Sequence, residues 1–406
     1  MDYTSMTLPN GIRLIHASVD SPVAHCGVVI NTGSRDENPD EQGMAHFIEH
    51  TIFKGTAKRK AYHIISRLED VGGEMNAYTS KEETAIHASF LCEYYERAIE
   101  LFSDILIDST FPERELKKEQ EVIIDEINSY NDTPAELIFD EFEELMYEGH
   151  PMGRNILGTP ELVRSFQSSD IRRFMAANYH TDQMVICSIG NIPARKFFYL
   201  AQRYFERLKT SLRHDRRVRF STYQPKQKMV EKGTFQAHCI LGGEAFDVYH
   251  PDRLPLVLLN SILGGQSGNS RLNLSLRERN GIAYNLESSY TAYSDTGTLT
   301  IYFGTDPENL DRALTLIDRE IKLLQHKALG DIQLSKARKQ LIGQLAMSQE
   351  NHEDLMLAIG KSMLVFNKVE RLEEIYKRIS QISAVQLMEV ANRILEPRNL
   401  TCLIYK

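Results

Sequence analysis

Gly43-Met44-Ala45-His46-Phe47-Ile48-Glu49-His50-Thr51-Ile52-Phe53 is the stretch from which the rest of this 406-residue chain can be read. Its pattern predicts a helix from about Glu41 through Phe53. Residues four apart stack on one face of a helix, so His46 and His50 set their imidazoles side by side, and Glu49 projects beside them. Met44, Ala45, Phe47, Ile48, Ile52 and Phe53 make the remainder mostly apolar, which implies burial. Two histidines and a glutamate buried together would be costly unsatisfied polar groups. A divalent cation removes that cost by taking both nitrogens and giving the carboxylate a water to hold. Nitrogen and carboxylate donors suit zinc.

A His-x-x-Glu-His run arises by chance in roughly a few of every hundred chains of this size, so the flanks have to decide. A zinc that does chemistry takes three protein ligands and keeps a position open for water. The third ligand is expected on Glu119-Gln120-Glu121-Val122-Ile123-Ile124-Asp125-Glu126, which is helical in pattern. Glu119 and Glu126 lie two turns apart on one face, yet pattern alone leaves Glu119, Glu121 and Glu126 all open.

Outward from this stretch the chain alternates strands and helices. Gly11–His16, after a Pro9-Asn10-Gly11 turn, and Val23–Ile30 read as strands, and Gly33–Asp40 as a polar loop. Helices are expected at Tyr62–Val71, ended by Gly72-Gly73, and at about Tyr94–Ser109, Glu113–Tyr130 and Pro134–Tyr147, with a strand at Ala85–Leu91. Arg213, Arg216, Arg217, Arg219, Lys226 and Lys228 fall in an apolar-poor stretch with Pro225, which reads as a solvated linker rather than a nucleic-acid contact.

Beyond that stretch the pattern restarts. Ala24-His25-Cys26 is echoed by Ala237-His238-Cys239, the helix end Ile52–Gly55 by Ile262–Gly265, and Gly72–His87 by Gly281–Ile301, at offsets near 210 residues. The expected fold is therefore α+β. It has two related domains, each a mainly antiparallel sheet packed against helices: 1–210, a linker at 211–232, and 233–406. At this offset His46, Glu49 and His50 fall opposite Leu256, Leu259 and Asn260, so the second copy carries no metal site.

Composition narrows the classes. A hydrophobic content of 42%, a charged content of 25% and a net charge of −9 describe a soluble globular protein without the basic field of a nucleic-acid binder. Five scattered cysteines, an odd number without Cys-x-x-Cys, read as buried thiols in a reducing compartment. No signal-like N-terminus and no apolar run of about 18 residues is present, so a cytoplasmic location without a membrane contact is expected. His63, His87 and His180 lack partner spacing and read as structural or surface residues.

The run Gly43–Thr56 closely resembles the inverted zinc motif of the pitrilysin/insulinase metallopeptidases, in particular the branch of the mitochondrial processing peptidases and their bacterial relatives. The resemblance implies a third ligand some 76 residues after the second histidine, which lands on Glu126, and an auxiliary acid one heptad earlier, matching Glu119. Gly72–Thr79 resembles the family's substrate-binding edge strand, with Asn76 and Ala77 presenting backbone to an extended peptide. Leu263–Leu272 resembles its glycine-rich loop. Arg277-Glu278-Arg279-Asn280-Gly281-Ile282-Ala283-Tyr284 resembles its Arg/Tyr pair. The implied activity is peptide hydrolysis with one zinc held by His46, His50 and Glu126. Glu49 is the implied general base, Glu119 an orienting group, and Arg277 and Tyr284 donors to the substrate carbonyl. In that family the two halves face one another across a chamber, often on different subunits, so a homodimer is expected in which Arg277 and Tyr284 complete the partner's site. The competing expectations are a non-catalytic assembly subunit of the same fold and a structural zinc protein. Intact motif residues weigh against the first, and the lack of a fourth protein ligand against the second.

Overall fold

The computed structural model describes residues 2–214 and 217–406, so Arg216 of the basic stretch lies outside the described residues. The first sheet is built from β1 (Tyr3–Thr7), β2 (Arg13–Ser18), β3 (Val23–Ile30), β4 (Glu74–Thr79), β5 (Thr84–Leu91) and β6 (Met184–Gly190), in the order β1-β2-β6-β3-β5-β4. The second is built from β7 (Gln227–Val230), β8 (Ala237–Ala245), β9 (Leu286–Ala292), β10 (Gly297–Thr305) and β11 (Thr401–Tyr405), in the order β7-β11-β8-β10-β9. Without β1 the two orders are the same. In each, the first pair, β2 with β6 or β7 with β11, is parallel and the remaining neighbours are antiparallel. The expected architecture, duplication included, is what the chain adopts.

Five helices of the first half are labelled α1 (Met44–Thr51), α2 (Ala61–Glu69), α3 (Tyr95–Asp108), α4 (Glu113–Asn131) and α5 (Pro134–Met146). α1 is shorter than its pattern predicts. Pro39–Glu41 forms a separate 3-10 turn, and Gly43, at φ +94°, is a left-handed break that a side chain would strain. At the other end the Thr51 hydroxyl donates to the Phe47 carbonyl at 2.6 Å, competing with the helical ladder.

The compact units are not contiguous stretches of chain. One comprises Met1–Asn128, Arg154–Val218 and Met347–Val369; the other comprises Ser129–Gly153, Arg219–Ala346 and Glu370–Lys406. This grouping departs from a simple division near 210 and 233, and two helices account for most of the departure. α5 packs on β8 and β11 in the second unit, while the helix His352–Phe366 packs on β3 and β6 in the first. They begin 218 residues apart, close to the repeat offset, and each covers the sheet face left open by the other helices of its unit. Strands buried on both faces read as continuous apolar runs, which is why Val28, Val29 and Ile30 do not alternate. Leu355, Met356, Ile359, Met363 and Leu364 are buried in this layer, each worth roughly 1.5–3 kcal/mol relative to exposure.

The described residues of 211–232 are mostly exposed, and the chain passes from one unit to the other within this stretch, at Val218–Arg219, yet it is anchored at points along its length. Arg217 donates to both oxygens of Asp36, at 2.8 and 2.7 Å, and Arg213 donates to the same carboxylate. Burial would raise the Asp36 carboxyl, but the Arg217 hydrogen bonds and the Arg217 and Arg213 charges outweigh it and hold the group below its ordinary value. Farther along, Gln227–Val230 is a strand of the second sheet. No helix among the described residues is long and apolar enough to cross a membrane.

Candidate metal centre

α1 and α4 meet in the first unit, and His46, His50 and Glu126 each point one ligand atom to a common place, all within 4.8 Å of one another. Glu126 Oε2 lies 3.8 Å from His46 Nε2 and 3.6 Å from His50 Nε2. These separations are too long for hydrogen bonds. They lie near the edge of a tetrahedron with bonds of about 2.0–2.1 Å, which is about 3.4 Å. Burial first, and the neighbouring His50 ring second, push the His46 imidazole down to about 3, so it offers a lone pair at neutral pH. Its Nδ1 is buried with no hydrogen-bond partner among the described residues. Two imidazoles and a carboxylate, converging at separations too long for hydrogen bonds from the carboxylate to the rings, fit a zinc ion.

The three candidates left open by pattern on α4 separate cleanly. Glu121 is exposed, Glu126 joins the histidines, and Glu119 is buried one layer behind them. Glu119 Oε2 lies 3.4 Å from His50 Nδ1 and Oε1 accepts from Lys54 Nζ at 2.8 Å. Burial would raise the Glu119 carboxyl, but the His50 and Lys54 hydrogen bonds and charges bring it below its ordinary value. An anion on Nδ1 favours the tautomer that leaves His50 Nε2 free toward Glu126. Lys54 had no role in the sequence reading. Its position one turn beyond His50 was the only signal.

Glu49 sits on the same helix, three residues, or a little under one turn, after His46. Burial raises its carboxyl above the ordinary value, Glu126 adds to the rise, and the Thr79 hydroxyl and N–H and the His50 ring partly offset it. Thr79 ends β4, the edge strand of the first sheet, against which α1 packs. Within β4 the backbone alternates. Ser80 N donates to Glu83 O, so residues in phase with Ser80, including Asn76 opposite His87, turn their N–H and C=O toward β5. Met75, Ala77 and Thr79 turn theirs to the open edge. Of the two residues expected to present backbone, Ala77 is oriented to do so and Asn76 is not.

Arg277 and Tyr284 lie in the other unit. Arg277 lies in the last turn of the π-helical segment Asn273–Glu278, half exposed, with Glu278 Oε1 at 3.7 Å from its Nε. Tyr284 is 74% exposed, while its neighbours Ile282 and Ala283 are buried. Both side chains are thus displayed rather than packed. His87 and His180 are tied to Glu353 and Ser211, as structural residues would be.

Residues 14–160 match the insulinase family of peptidases (peptidase family M16), and residues 165–341 match the inactive domain of peptidase M16. An uncharacterised zinc protease of Bacillus subtilis is 35% identical over 95% of this chain and 93% of its own. The chain belongs to the insulinase, or M16, family. A mitochondrial-processing peptidase beta subunit of Caenorhabditis elegans is 28% identical over 96% of this chain and 86% of its own. In fold, the chain is similar to a protease from Helicobacter pylori, with a TM-score of 0.91 at 22% identity over 100% of this chain and 99% of that one. The match to the inactive domain falls mostly on the half without the cluster, where Leu256, Leu259 and Asn260 stand 210 residues after His46, Glu49 and His50. Among the described residues no second group of metal-ligating side chains forms.

Proposed function

We propose that this protein is a zinc metalloendopeptidase that hydrolyses peptides or unfolded segments, acting in the cytoplasm. The observation that carries the reading is the convergence of His46, His50 and Glu126, with Glu49 beside them on the same helix. Those three residues would hold the ion, which when bound supplies Lewis-acid polarisation of the scissile carbonyl and a water of lowered pKa. Everything else falls to the chain. Glu49, its carboxyl raised above the ordinary value by burial, takes a proton from the attacking water and delivers it to the leaving amine. Glu119, held by Lys54, keeps the His50 ring in one orientation. The outward N–H and C=O of Ala77 receive an extended substrate as an added strand, a mode that reads main chain well and side chains poorly. Broad specificity follows.

Arg277 and Tyr284 are assigned the substrate carbonyl and its developing oxyanion. Their exposure supports a role toward something outside their own unit, and we assign them to the zinc centre of a second copy in a homodimer. The test is cleavage mapping of a peptide library by mass spectrometry, with zinc-loaded wild type beside Glu49→Gln. Cleavage by wild type, lost by about 10²–10⁴-fold in Glu49→Gln with zinc retained, is the expected result. A zinc-loaded wild type that cleaves nothing overturns the proposal.

A further inference from the structure

α1 begins without a cap of its own. Its N-cap position is Gly43, which has no side chain to offer the first N–H groups. A larger residue is not an option there: a Cβ on Gly43 would lie 2.8 Å from Gly158 Cα and from Leu157 O. The orphan donors are met from six residues upstream. Glu37 Oε2 accepts from Gly43 N at 3.0 Å and Oε1 from Ala45 N at 2.9 Å, so one carboxylate spans the helix start. Glu37 is 3% exposed, and Arg154 Nη1 donates to its carbonyl at 2.6 Å. Lys81 Nζ in turn donates to the Arg154 carbonyl at 2.7 Å. Lys81 lies in the turn that joins β4 to β5, and its own carbonyl accepts from Arg35 N at 2.8 Å.

We infer that Glu37 is a positioning residue for the metal centre, fixing the start of α1, and through Arg154 and Lys81 its placement against β4. The inference rests on the reading of His46, His50 and Glu126 as zinc ligands. Ala45, whose N–H Glu37 holds, is the residue before His46, and the ligand-bearing stretch is only two turns long. A slip or tilt at its first turn therefore reaches both ring nitrogens. Burial pushes the Glu37 carboxyl up to about 8 against the pull of the two N–H groups and of Arg154 and Lys81. An exposed cap would hold a helix end without that penalty. What the buried carboxyl group adds is a rigid link between the helix that carries the ligands and the strand that faces the substrate.

Glu37→Gln keeps size and shape but turns an N–H group toward one of the two backbone donors. We expect zinc affinity, read by competition with a chromogenic chelator, to fall about 10–100-fold, as when the outer partner of a metal ligand is removed. For zinc-saturated enzyme we expect kcat to fall while KM stays within about twofold. Glu37→Asp, which can reach one N–H but not both, should fall between. If Glu37→Gln does not fold, Lys81→Met removes the far end of the chain of contacts and should show the same signs at smaller size. A lower melting temperature with unchanged zinc affinity and kcat in both variants overturns the inference. Wild type that neither binds zinc nor cleaves peptide would instead overturn the function it rests on.

Discussion

Two helices laid on the same strand order have been put to different use. Met44–Thr51 carries His46, Glu49 and His50 among buried apolar neighbours, whereas Arg253–Leu263 carries Leu256 and Leu259, both buried, and Asn260, which pairs with Ser288. The scaffold alone therefore does not make the centre. Unit one surrounds its helix with charged groups: Glu126 across from the rings, Glu119 and Lys54 behind His50, and, in the loop before it, Asp36 locked to Arg213 and Arg217. A buried polar face costs least when the groups on it are met, and His46 Nδ1 is the one on this helix that is not, among the described residues.

The comparison breaks most visibly if the first helix is made to resemble the second. His46→Leu substitutes the residue found at the matching position. Zinc binding should disappear, and peptide hydrolysis should drop by at least about 10³-fold, several kcal/mol of barrier. The metal-free fold should survive, and its urea midpoint should hold or rise, because the unpartnered Nδ1 is removed from the core, worth about 1 kcal/mol. A large loss of stability in the metal-free protein would mean that the imidazole serves the fold itself.

The reverse exchange is expected to cost stability and gain nothing. Leu256 is fully buried, and the helix around it offers no second imidazole or carboxylate. Leu256→His should destabilise by about 3 kcal/mol in urea unfolding, through lost packing and an unmet polar ring. It should not raise the zinc content measured by mass spectrometry. A second bound zinc would show that the second unit retains a latent site.

The duplication and the His46–His50 pair of the candidate centre were legible in the sequence because both depend on short, local patterns, whereas pattern left Glu119, Glu121 and Glu126 open. The repeat of Ala-His-Cys and the matched glycines follow from strand and turn requirements that act over a few residues. The spacing of His46 and His50 is likewise fixed by a single helix. What stayed hidden is long-range and non-periodic. Glu37 and Asp36 look like ordinary loop acids, since nothing local says that one closes a helix start and the other receives arginines some 180 residues away. Pattern did not separate Asn76 from Ala77, because which residues of a strand turn their backbone to the open edge depends on the ladder phase, which the turn at Ser80–Glu83 sets. The exchange of α5 and His352–Phe366 was equally invisible, because each is an amphipathic helix with no mark of which sheet it will cover.

That exchange offers the subtlest test, since the two crossings divide their volume in opposite ways. In the first unit the helix brings the small residue. A Cβ on Gly360 would lie 2.7 Å from Cys187 Sγ and 3.1 Å from Val29 Cγ2. In the second the strand brings it, and a Cβ on Gly242 would lie 3.1 Å from Phe142 Cζ. Val29 and Gly242 are 213 residues apart and Phe142 and Gly360 are 218 apart, so matching positions have traded size while the helix still seats on the sheet. Gly360→Ala should therefore be destabilising by about 1–3 kcal/mol, even though alanine is the better helix former by about 1 kcal/mol. Cys187→Ala should recover part of that loss, with a coupling of about 0.5–1 kcal/mol in a double-mutant cycle. Additive behaviour, or a stabilised Gly360→Ala, would mean that the helix shifts freely on the sheet and that the traded volumes do not fix its seat.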